Sequence, residues 1–428
     1  MGTFEKMAEA WRVQCGTPPG SVSKLENEVS PLLNSEDIER VRQGIKRLKE
    51  CGDASLVLIL QEANGSLDVS RNFSENRSAV ERCVLEAVTR ADSAWHPLFQ
   101  EGCFDRMMLR SVEDADWGSL SVDVQARVIA ESKRLNGIEL GTFRMGAPRK
   151  LGTNARYWLM DLDQQPTHRV TLTRAFSMGM YPVTQALWEH VMGNNPSQFT
   201  GSSRPVERVC WAECVVFCNK LSTIDGLEPV YSLDGMAGSD FSKVNRYLSH
   251  LQCNFDADGY RLPTEAEWEY SARCNQRFKL SGSDDADEVA WHGHKHLPVE
   301  KKTRGVGLKM SNAFGLYDMS GNVAEWCWDV KRAYNRGLEL SETRSSDLKA
   351  ALLREGREVP RSKNDRYQAL IAVIDPTGAP WEKYAHRVYR GGSWDESDFE
   401  CNVFKRWTFN PDHRSSMRGF RLARTIRG

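Results

Sequence analysis

Residue types able to do chemistry gather at three places in this chain. The run HGHKH (292–296) sets His292, His294 and His296 at alternate positions. On a strand they would share one face and could hold Zn(II) or Ni(II), but no cysteine or carboxylate partner accompanies them, so a solvated loop is expected. Cys210, Cys214 and Cys218 recur at i, i+4 and i+8. Helical spacing stacks them on one face. Metal sites usually draw on more than one element, and Trp211 and Phe217 alongside predict a packed helix with small core residues. The third place is DESDFECNVFKRWTFNPDHRSSMR (395–418). It holds Phe399, Phe404, Trp407 and Phe409 beside Arg406, His413 and Arg414, with Trp394 just before it. Aromatic and arginine side chains on a rigid scaffold are the usual composition of a binding hot spot.

The composition bounds what such sites can serve. A chain of 428 residues predicts two domains. With 40% hydrophobic and 27% charged residues and a net charge of −1, it is a globular protein and not an electrostatic nucleic-acid binder. No apolar run approaches the ~18 residues of a membrane span. The opening MGTFEKMAEAWRVQCG lacks the apolar core of a signal peptide. Eleven cysteines, an odd number, then read as reduced thiols, and the expected compartment is the cytoplasm.

The elements that must position these residues fall into two textures. Residues 1–135 read as a helical bundle or helical-repeat-like docking domain. Ile38, Val41, Ile45 and Leu48 share one helical face, capped by Asn34 or Ser35 and ended by Gly52. A second helical run covers 55–63, and further apolar spacing appears at Val80, Val84, Ala87 and Val88, then at Val122, Val124, Val128 and Ile129. The one histidine of this region, His96, is expected to be structural. From about 137 the chain is rich in Trp, Gly, Pro and Asn. Helices are predicted at 184–192, at 211–222 and from Thr264, where Glu265 and Glu267 oppose the helix dipole, with a strand from His168 to Leu172. A charged insertion at about 330–374 carries ten Lys or Arg against six acids over 331–368, with helical spacing at Leu348, Leu352 and Leu353.

Seven strings occur in order: GTFRMG (141–146), YPVTQALWEHVMGNNPSQF (181–199), RPVERVCW (204–211), YRLPTEAEWEYSAR (260–273), NAFGLYDMSGNVAEW (312–326), RGGSW (390–394) and GFRLAR (419–424). Together they resemble the formylglycine-generating enzyme (sulfatase-modifying factor) family. The resemblance covers roughly 137–427. It implies an α+β class: a formylglycine-generating-enzyme-like, C-type-lectin-like domain over 136–428, preceded by the small all-α domain.

The resemblance also implies a site. Family members oxidise a substrate cysteine with copper held by two thiolates, which suit soft Cu(I). Placing GGSW on the family motif, with Ser393 inside it, puts Glu396 at the first cysteine position and Cys401 at the second. With one thiolate replaced by a hard carboxylate, neither copper nor catalysis is expected, and Cys401 reads as a buried structural cysteine. The related iron-dependent sulfoxide synthases need a histidine set that the helical region lacks. The family's calcium segment carries over to Asp318, Gly321, Val323 and Glu325, two carboxylates plus carbonyl oxygens, a hard-ligand set for Ca(II). The lectin-like relatives present 395–418 to ligands. The expected function is that of a non-catalytic recognition or accessory protein of a bacterial regulatory or defence system, some relatives being CRISPR-associated. Its partner would be a protein reached through the helical domain or the C-terminal loop face. The alternative is a metal-dependent oxidoreductase of the same superfamily.

Overall fold

The structure, a computed structural model, describes residues 115–147, 166–233, 236–237, 250–293, 301–331, 345–354, 371–376 and 385–427, with isolated positions elsewhere. The helices expected at 34–52, 55–63 and 80–88, and also His96, His294 and His296, lie outside the described residues. The chain divides into two compact units, Met1–Glu131 with Gly201–Ser203, and Ser132–Thr200 with Arg204–Gly428. No helix among the described residues is long and apolar enough to cross a membrane.

In chain order the elements are α1 (Val122–Ser132), β1 (Leu135–Ile138), β2 (Gly141–Met145), β3 (His168–Leu172), β4 (Phe176–Pro182), α2 (Gln185–Met192) and α3 (Trp211–Ile224). Then come β5 (Tyr231–Leu233), β6 (Met236–Ala237), β7 (Leu251–Cys253), β8 (Tyr260–Arg261), α4 (Glu265–Arg273), α5 (Ala286–Val289), β9 (Ala290–Trp291) and β10 (Ser320–Gly321). The last are β11 (Ala324–Val330), α6 (Ser345–Arg354), β12 (Val373–Ile374), β13 (Arg387–Arg390), β14 (Arg406–Phe409) and β15 (Arg418–Thr425). The expected helices at 184–192, 211–222 and after Thr264 are α2, α3 and α4. In α1 the apolar spacing resolves into buried Val124 and Val128, with Val122 left in solvent.

The main sheet runs β1-β4-β15-β11-β13-β14, with β8 added beside β15. Smaller sheets are β12-β3-β2 and β6-β5-β7, and β9 and β10 form a short pair. Because side chains alternate across a strand, register decides which residues share a face. Pairing sets Glu325 opposite Arg390 and Arg390 opposite Arg406, one charged row across β11, β13 and β14. The next positions set Trp326 opposite Tyr389 and Tyr389 opposite Trp407, an aromatic row on the other face.

Helix α4 supplies counter-charges to the first row. Its start is a capping box: Glu267 N–H donates to Thr264 Oγ1 (3.2 Å) and Thr264 N–H donates to Glu267 Oε2 (2.8 Å). The glutamates of this helix do more than oppose its dipole. Glu265 accepts from Arg406 Nε and Nη2 at 2.7 and 2.6 Å, and Glu267 accepts from Arg261 Nη1 and Nη2 at 2.6 and 2.7 Å. Glu269 accepts from Arg390, from Arg273 Nε (2.8 Å) and from the Gly146 amide (2.8 Å). Burial opposes ionisation of Glu269, yet Arg273 and Arg390 hold its carboxyl below the usual carboxylate range. Charges this deep persist only when paired, so each arginine is matched to a specific carboxylate. Trp268 fills the core between them and donates through Nε1 to Glu325 Oε2 at 2.7 Å.

Candidate functional site

Strand β13 runs into Gly391 and Gly392, both in the left-handed region, at φ 95° and 69°. A Cβ at Gly392 would lie 2.7 Å from Cys401 Sγ and 2.8 Å from its Cα, so only glycine permits this approach. The turn is stitched to its neighbour: Gly321 N–H donates to Gly391 O (2.8 Å) and Trp394 N–H donates to Asn322 O (3.0 Å). Cys401 sits among Leu280, Val289 and Ala290 and is fully buried. Burial, with the carboxylates of Glu396, Glu400 and Asp398, pushes its thiol well above the ordinary range. Burial also raises Glu396, partly offset by the Ser393 hydroxyl beside it.

The structure thus brings Glu396, Ser393 and Cys401 together, as the motif placement implied. Burial and the flanking carboxylates disfavour ionisation of the one thiol here, and its neighbour is a hard oxygen and not a second soft donor.

The aromatic row lies on the other face of the sheet, with Trp326 fully buried and Tyr389 and Trp407 half-buried. Trp326 and Tyr389 meet edge to face at 5.5 Å. The Arg418 guanidinium lies over three rings, 4.6 Å from Phe409, 4.8 Å from Tyr389 and 5.4 Å from Trp326. Its Nη2 donates to His413 Nδ1 at 2.6 Å, and the His413 ring packs on Phe409 at 4.0 Å. Trp394 donates through Nε1 to Ser416 O (3.0 Å), and Lys405 Nζ stands 4.1 Å above the Phe399 ring. Arg414 is exposed and pairs with Glu213.

Two of the expected ligand-facing residues need correction. Phe404 is buried in the core with Trp268 and Val388, and Arg406 is committed to Glu265, so neither presents a surface. Sequence reasoning passed over Arg418 and Tyr389. The available signal was register: Arg418 opens β15 one residue before GFRLAR, and Tyr389 alternates with the buried Arg390.

The sequence model described as the sulfatase-modifying factor enzyme 1-like domain matches residues 126–426. The chain belongs to the sulfatase-modifying factor family. The solved structure titled Treponema denticola variable protein 1 is 31% identical, with a TM-score of 0.52, covering 68% of this chain and 95% of that one. Among curated proteins, the chaperone protein LppX of Paenibacillus barcinonensis is 43% identical over 173 residues, 36% of this chain and 62% of that protein. The formylglycine-generating enzyme of Streptomyces coelicolor is 32% identical over 213 residues, 44% of this chain and 55% of that enzyme. The chain therefore spans less than two thirds of these curated relatives.

Against the family's calcium segment, the placement of the four carried-over residues is informative. Asp318 accepts from the Gly307 amide (2.7 Å) and Asn322 Nδ2 (3.3 Å), and burial raises its carboxyl to about 6. Gly321 and Val323 are buried beside it. Both Glu325 oxygens are taken by Arg421, at 2.8 and 2.9 Å. The Arg421 guanidinium thus competes for the carboxylate that the resemblance assigns to Ca(II). Millimolar Ca(II) is expected to shift the thermal midpoint by less than about 1 °C. A rise of several degrees, the linkage signature of binding to the folded state, would bear out the calcium reading. His292 Nε2 lies 3.7 Å from Asp287 Oδ1, the imidazole nearly buried and the carboxylate exposed.

One further carboxylate shapes the rim of this site. Glu207 Oε1 accepts from the amides of Gln198 (2.5 Å) and Phe199 (2.8 Å), and Phe199 packs edge to face on Trp394 at 5.2 Å. Burial raises Glu207 to about 7, those amides notwithstanding. An acid whose folded pKa exceeds its unfolded value costs stability as pH rises between the two values. Its contribution is therefore most favourable below about pH 4.5 and is lost by about pH 7. Glu207→Gln is expected to flatten the slope of thermal midpoint against pH in that window. An unchanged slope would place the titration elsewhere.

Proposed function

We propose that this sulfatase-modifying-factor domain is a non-catalytic recognition module, an accessory protein of a bacterial regulatory or defence system. The observation that carries the reading is Glu396 beside a buried, protonated Cys401 where the family's copper thiolates belong. The half-exposed Trp394, Trp407 and His413 and the exposed Phe409, packed around the buried Arg418, suit ligand capture. Similarity to a protein named as a chaperone supports a role in binding another protein. Residues 1–135 would then couple the module to its partner. The seven described cysteines are all free thiols, in keeping with a reducing cytoplasm.

A sulfatase-type Cys-x-Pro-x-Arg peptide incubated with copper-treated protein tests the reading by mass spectrometry. No conversion is expected. Aldehyde formation would establish instead the oxidoreductase that similarity to formylglycine-generating enzymes favours.

A further inference from the structure

The aromatic face holds polar atoms that the fold does not use. Arg418 is 6% exposed, yet its Nε and Nη1 are buried and have no hydrogen-bond partner. Trp407 Nε1, whose residue pairs across the sheet with Tyr389, is likewise buried without an acceptor. Glu396 Oε2 is buried without a donor. All three residues flank Tyr389. Arg418 stacks on its ring, Trp407 faces it in register, and its hydroxyl feels the charges of Arg418 and Glu396.

Buried polar groups without partners are rare in folded proteins, and each calls for an explanation. These have a definite polarity, with two unpartnered arginine nitrogens and an indole N–H as donors and a carboxylate oxygen as acceptor. The scaffold arginines Arg261, Arg390, Arg406 and Arg421 all have carboxylate partners. Arg418 has instead the neutral ring of His413, whose basicity burial and Arg418 itself both reduce.

We infer that Arg418, Trp407 and Glu396 form a binding site for a small zwitterion, with its carboxylate on Arg418 and Trp407 and its protonated amine on Glu396. The aromatic floor of Trp326, Tyr389 and Phe409 gives both charged contacts a low dielectric, where charge-assisted hydrogen bonds are strongest. A phosphate dianion is disfavoured, because Glu396 and Glu400 add negative charge around the same ring. This ligand class rests on the recognition reading above and narrows it.

The test is tryptophan fluorescence and calorimetric titration of the full chain with glycine, β-alanine, 4-aminobutyrate and 5-aminovalerate. Acetate, methylammonium and inorganic phosphate are the single-charge and dianion arms. At least one amino acid of this series is expected to bind at submillimolar Kd and at least about tenfold tighter than any control. Arg418→Gln should weaken that ligand about 30-fold or more, with Arg418→Lys recovering part of the loss, and Glu396→Gln should weaken it about tenfold. Urea midpoints within error of wild type show that the variants fold. Equal binding of phosphate or acetate, an unaffected Arg418→Gln variant, or no zwitterion binding by wild type would overturn the site. Those results would leave the recognition reading standing, which falls only if the sulfatase peptide is converted.

Discussion

Replacing Arg421 by methionine is expected to lower the unfolding free energy by about 3–5 kcal/mol in urea denaturation, because it strands a buried anion. Arg421 is fully buried on β15 and gives two hydrogen bonds to Glu325, itself fully buried. It also donates to the carbonyls of Gly179, Met180 and Tyr317. The cost comes mainly from the uncompensated carboxylate. Adding Glu325→Gln to Arg421→Met should recover more than half of the loss, since the amide is neutral and still accepts from Trp268. If the double variant is no more stable than the single one, the bonds to the three carbonyls matter more than the ion pair.

The second large effect concerns copper. Glu396→Cys is expected to raise Cu(I) affinity on the order of a thousandfold, measured by competition with a Cu(I)-selective chelator, as a hard oxygen gives way to a second soft donor. The substitution also removes the carboxylate that, after burial, does most to keep Cys401 protonated. Binding should release protons as the thiols ionise. Wild type binding Cu(I) as tightly as the variant would mean that Glu396 is no obstacle and would reopen the enzymatic reading.

What the sequence revealed, and what it withheld, follows from the range of the interactions involved. Helices α2, α3 and α4 were legible because the signals that set a helix are local in sequence. So was the neighbourhood of Ser393, Glu396 and Cys401, since an ordered motif fixes both ends of one short turn. The roles of Arg406 and Phe404 were not legible. Strand alternation puts Arg406 on the charged face and Trp407 on the aromatic one, and only the pairing of β14 with β13 says which face is covered by α4. Arg418 was missed for the same reason: next to an abundant supply of arginines, nothing local distinguishes one whose guanidinium meets a histidine ring. The glutamates of α4 looked like dipole complements because their partners lie as far away as 141 residues in sequence.

The position of β15 in the sheet sets a schedule for synthesis. This strand is the last element of the described chain, yet it lies between β4 and β11. The 96 residues separating Glu325 from Arg421 take a ribosome about 5–20 s at ~5–20 residues/s. Throughout that interval β4 and β11 lack the strand that joins them, and their apolar edges and unneutralised carboxylate stay open to other chains. Closure of this sheet is thus gated by arrival of its final strand.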